Sequence, residues 1–149
     1  MEYLLQIVQN EVIQTSVLSW FVAQMIKVLI VLITDRKLDF TRITGSGGMP
    51  SSHSSFTVSL ACACGFIEGF NSVAFGLATA FSLVVMYDAS GVRRAAGHQA
   101  AVLNQIVEKI GKEDISVTGK KLKELLGHSP VEVFAGAILG IIIAVIRFV

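Results

Sequence analysis

The chain contains two prolines, and each lies beside a histidine, in Pro50-Ser51-Ser52-His53 and in His128-Ser129-Pro130. Proline is well tolerated in the first turn of a helix, where its missing N–H would have no partner anyway, so both segments read as helix starts. The unpaired N–H groups of such a turn, together with the helix dipole, favour an anion. Two such turns on one face of a membrane can together hold a phosphate, with an imidazole beside each to move protons. Ser51, Ser52, Ser54 and Ser55 taken alone read as an ordinary helix cap; Ser51 and Ser52 are also candidate phosphate donors.

A phosphate needs cations to balance it. Asp88-Ala89-Ser90-Gly91-Val92-Arg93-Arg94 supplies two guanidiniums, whose paired donors match phosphate oxygens. Lys27 is the unusual cation, because it lies inside an apolar stretch, where an ammonium is costly unless it faces an anion or a polar cavity. It is expected to point into the site. Each feature has a plainer reading: an interfacial histidine, an arginine anchor, a lysine that snorkels to the surface. Their convergence on one membrane face favours the chemical reading.

The elements that must do this positioning are membrane helices. Of 149 residues 53% are hydrophobic and 15% charged, and the mean hydropathy is +0.69, far from an ordinary soluble domain. The net charge of +1 gives no basic field that would argue for nucleic acid as a partner. Cys62 and Cys64 fit neither a metal knuckle nor a disulfide framework and read as packing thiols; no metal and no cofactor is implied. No cleavable signal peptide is evident. The expected fold is all-α: a single domain over 1–149, an integral membrane helical bundle with about four transmembrane helices plus amphipathic interfacial helices.

The expected spans cover 17–34, 53–66, 73–87 and 131–149, with an interfacial helix over 1–14 and an amphipathic one over 92–110. The segment 35–52 reads as a loop, 111–119 as another, and 120–126 as a short basic helix stopped by Gly127. Gly136 and Gly140 make a GxxxG packing pattern. With four spans, ten of the twelve Lys and Arg residues fall on one side: three after the first span and seven between the third and fourth. The positive-inside rule makes that face cytoplasmic and puts both termini near the other.

These residues resemble a family. Gly47-Gly48-Met49-Pro50-Ser51-Ser52-His53-Ser54 is similar to the second signature of the type 2 phosphatidic acid phosphatases, normally PSGH. His128-Ser129-Pro130-Val131-Glu132 is similar to the third, where an Asp follows the His by four residues. From about Gln24 to the C-terminus, including the run from Tyr87 to Gly97, the chain resembles the divergent branch of that superfamily, related to acid phosphatases and vanadium-dependent haloperoxidases. The first signature, a Lys followed seven residues later by Arg-Pro, is missing, because Thr34 stands there. The arginine six residues before the third signature's His is Leu122 here. Ser52 replaces a Gly, Glu132 replaces an Asp, and His98 has no counterpart.

By position, the resemblance makes His128 the nucleophile that forms a phosphohistidine, Glu132 the group that fixes its tautomer, and His53 the acid that protonates the leaving alkoxide. Arg93, Arg94 and Lys27 would then neutralise the phosphoryl oxygens. It implies a metal-independent phosphatase acting on a phosphorylated membrane lipid, in a bacterial plasma membrane or a plastid membrane; the cytoplasmic face expected from the charge placement favours phosphatidylglycerophosphate or phosphatidate as that lipid. The competing readings are a polyprenyl pyrophosphate phosphatase and a non-enzymatic anion- or lipid-binding membrane protein or small transporter. Four spans are fewer than the superfamily's usual six, which leaves room for a homo-oligomer.

Overall fold

The computed structural model describes residues 1–36, 48–111, 122 and 127–149. Among these the chain is entirely helical: α1 (Glu2–Gln9), α2 (Glu11–Asp35), α3 (Ser52–Glu68), α4 (Val73–Ser90), α5 (Val92–Gly111) and α6 (Pro130–Phe148). Most of the loop expected over 35–52, with Lys37 and Arg42, lies outside the described residues. So do the loop expected over 111–119, apart from Gly111 at the end of α5, and most of the basic helix expected over 120–126.

Among the described residues three stretches are long and apolar enough to cross a membrane: Glu11–Thr34, Val73–Lys109 and Pro130–Phe148. The second breaks at Gly91 into α4 and α5. The first begins earlier than the expected position 17, because the interfacial helix stops at Gln9. Asn10 caps α2 by accepting the Ile13 N–H. Thr15 and Ser16 then donate their hydroxyls to the carbonyls of Glu11 and Val12 at 2.6 and 2.8 Å. Each polar side chain is satisfied within its own helix, so it lengthens the span instead of ending it.

α3 is the hub of the bundle, in contact with α2, α4 and α6. Its 17 residues rise about 25 Å, somewhat short of a full hydrocarbon core. Its inward positions are Ser52, Ser54, Ser55, Thr57, Ser59, Ala61, Ala63 and Gly65. The largest fully buried side chains among the described residues are all Ser or Thr, while Leu77, Val84, Phe134 and Ile146 stand on the outside. This inverts the pattern of a water-soluble core and suits a bundle whose exterior meets lipid.

Small residues allow close helix contact only if nothing stands between the backbones. Gly136 of α6 packs on the Ser51 carbonyl, and a Cβ on Gly140 would lie 2.7 Å from the Ser55 carbonyl. The GxxxG pattern is therefore spent within the chain, holding α6 to α3. The two helices run parallel: Phe66 stacks on Phe148 with ring centroids 5.6 Å apart at one end, and the Ser51 N–H donates to the Glu132 carbonyl at 2.9 Å at the other. At the Phe148 end Arg147 also donates to the Gln14 amide. The chain termini thus lie at the opposite end of the bundle from His53 and His128. α5 leaves the bundle, touching only α4 among the described helices.

Replacing Gly136 with alanine should separate α3 from α6. The expected cost is about 1–3 kcal/mol, read as a lower thermal unfolding midpoint in detergent; an unchanged midpoint would contradict the packing described here.

Candidate functional site

At α6 the local sequence builds a double cap. Ser129 Oγ accepts the Glu132 N–H at 3.3 Å, and Glu132 Oε2 accepts the Ser129 N–H at 3.3 Å, with Pro130 opening the helix. That reciprocal pattern needs an acid three residues after the cap. The same Oε2 atom lies 2.9 Å from Nδ1 of His128, the residue just before the cap. One carboxylate therefore both caps the helix and orients the imidazole. The His128 N–H donates to the Ala89 carbonyl at 2.8 Å, tying the residue to the end of α4. His128 is only 3% exposed, and its Nε2 is buried with no hydrogen-bond partner among the described residues.

The start of α3 differs from expectation in one respect. Ser51 is the cap, accepting the Ser54 N–H, so Pro50 precedes the cap instead of occupying the first turn. Ser51 also accepts the Ser54 hydroxyl at 3.0 Å and is fully buried, so its side chain serves the helix end. His53, the second residue of α3, is exposed. Its ring meets that of His128 edge-on, with centroids 6.2 Å apart.

Cations arrive from two further helices. Lys27 of α2 is 3% exposed and donates to Ser52 Oγ at 3.2 Å; the Glu132 carboxylate acts on it electrostatically. Arg93, on the first turn of α5, donates from Nε to Asp88 Oδ2 at 2.6 Å, both side chains being partly exposed. Arg93, Lys27 and Asp88 are near enough to act electrostatically on the His53 imidazole. The structure thus brings His53, His128, Glu132, Lys27, Ser52 and Arg93 to one end of the bundle.

Arg94 is not among the groups acting on His53, and its side chain is exposed. Its backbone matters more: Gly127, at φ +90°, sits so close that a Cβ would fall 2.5 Å from the Arg94 nitrogen. The third histidine, His98, is exposed on α5. Asp88, the Ala89 carbonyl and Gly127 were not foreseen as parts of the site. The available signal was Gly91, which breaks the helix between Asp88 and Arg93 and so folds two residues five apart against each other. Among the described residues no three His, Cys, Asp or Glu side chains converge in a way that could hold a metal ion.

A polar-cored bundle of apolar-faced helices, with two imidazoles, a carboxylate and two cations gathered at one end, defines an integral membrane protein. The chain belongs to the divergent PAP2 family, whose sequence pattern it matches over residues 8–143. It is 38% identical over 152 residues to the uncharacterized membrane protein YuiD of Bacillus subtilis (strain 168), a match covering 95% of this chain and 96% of that protein. No solved structure matches.

The double duty of Glu132 can be separated. Glu132→Gln retains an acceptor for the cap and should keep the thermal midpoint near that of the wild type. Glu132→Ala removes cap and imidazole partner together and should cost about 1 kcal/mol or more. Equal midpoints for the two variants would show that Glu132 does not cap α6.

Proposed function

We propose that this protein is a metal-independent phosphatase that hydrolyses a phosphate monoester of a membrane lipid through a phosphohistidine. The observation that carries the reading is His128: one ring nitrogen is engaged by Glu132, while the other is buried and unpartnered. A neutral imidazole that donates Nδ1–H to a carboxylate presents an Nε2 lone pair, the form that can attack phosphorus. An orphaned buried acceptor is costly and is readily explained by a substrate atom that it meets.

In the proposed cycle Nε2 bonds to phosphorus as the bond to the lipid oxygen breaks. His53 gives its proton to that departing oxygen. Water then loses a proton to His53 and attacks the phosphohistidine, and phosphate leaves as the P–N bond breaks. In-line displacement needs nucleophile and acid on opposite sides of phosphorus. With the two rings in edge contact, His53 must turn outward to admit the phosphoryl group, and its exposed place on the first turn of α3 allows that. Lys27, with Ser52 beside it, offsets charge at the buried side of the site, and Arg93 does so at the exposed side.

The positive-inside bias supports a cytoplasm-facing site. Arg36, Arg93 and Arg94 lie at the site's end of the bundle. The membrane relative from Bacillus supports a bacterial plasma membrane. Phosphatidate and phosphatidylglycerophosphate are then the favoured substrates.

The test is phosphate release from these lipids, and from a polyprenyl pyrophosphate, by the purified chain in detergent. His128→Ala should fall to background and His53→Ala should lose about a hundredfold or more; vanadate should inhibit as a mimic of the five-coordinate transition state. Full activity in His128→Ala would overturn the mechanism. Phosphate binding by the wild type without release from any of the lipids would assign the chain to the non-enzymatic binders.

A further inference from the structure

We infer that Asp88 is a positioning residue of this site, acting through Arg93; the inference rests on the anion-binding reading given above. α4 ends at Ser90 and α5 begins at Val92, so Gly91 is the only residue between two helices. Asp88 and Arg93 face each other across that break, and their 2.6 Å contact uses Nε of the guanidinium. The two terminal amino groups of Arg93 make no hydrogen bond among the described residues. Those two groups are the pair that engages two oxygens of a phosphate side by side. Arginine carries much rotamer freedom, and 53% of this side chain is exposed, so without a partner at Nε it would spend much of its time in solvent. Asp88 removes that freedom and leaves the anion-binding edge open.

Two neighbouring contacts join the break to the His128 segment. The carbonyl of Ala89, the residue after Asp88, holds the His128 N–H. Gly127, just before His128, rests on the Arg93 and Arg94 backbone. The ion pair therefore closes the joint against which the His128 segment is seated. As an exposed ion pair it contributes little to stability, so its loss should be felt at the site more than in the fold.

The experiment is a double-mutant cycle on the full chain in detergent, reading the dissociation constant for inorganic phosphate by calorimetry and KM and kcat for phosphatidate. Asp88→Asn should weaken phosphate binding by about tenfold and raise KM more than it lowers kcat, with a thermal midpoint close to that of the wild type. Asp88→Glu, which keeps the charge, should recover most of the affinity. In an Arg93→Gln background the Asp88→Asn change should have no further effect. Wild-type affinity in Asp88→Asn, or an equal loss in both backgrounds, would overturn the positioning role while leaving the phosphatase reading intact. A wild type that neither binds phosphate nor releases it from lipid would overturn both.

Discussion

The meeting of the first turns of α3 and α6 is the constraint on which the rest of the structure depends. The Ser51 N–H donates to the Glu132 carbonyl, and Gly136 lets the two backbones touch one turn further on. His53 lies two residues beyond Ser51, and His128 four residues before Glu132. A helix pair locked at this point therefore fixes the separation of the imidazoles. In a membrane there is little hydrophobic gain from bringing helices together, so such contact relies on close packing and interhelical hydrogen bonds. Here both are concentrated beside the candidate site.

The same economy explains the polar interior. Hydroxyls donate to carbonyls of their own helix or across to a neighbour, as Ser82 does to the Thr57 carbonyl at 2.6 Å and Ser19 to Ser55 at 3.1 Å. Each such bond satisfies a group that lipid could not. The bundle can thus keep a buried ammonium at Lys27, because the helix facing it presents a hydroxyl where an ordinary core would offer a methyl group.

Much of this was legible in the sequence. The apolar stretches gave the bundle, and the amphipathic periodicity of 92–110 gave α5 almost to the residue. The proline–histidine pairs located two helix starts, and the depth of Lys27 pointed it inward. What could not be read has physical causes. The start of the first span depends on an Asn10 cap and on hydroxyls that bond backward within the helix, and both look like loop signals in a one-dimensional reading. The GxxxG pattern cannot reveal whether its partner lies in the same chain or another. Arg93 and Arg94 are equivalent as letters, yet among the described residues only Arg93 has an acid across the Gly91 break. The second task of Glu132, capping α6, follows from a pattern that was present in Ser129-Pro130-Val131-Glu132 and was obscured by the resemblance that gave the residue another role.

The parallel seat of α6 against α3 also orders events in time. α6 is the last of the four bundle helices to be synthesised, and it brings Glu132, with His128 just ahead of its cap. Until it inserts, the α3 backbone at Ser51 and Ser55 lacks the two α6 glycines that pack on it, and Lys27 lacks the carboxylate whose field reaches it. A chain halted before residue 128 would thus hold the cation and one imidazole without the other half of the pair. The paired imidazoles come together only when translation has finished the bundle.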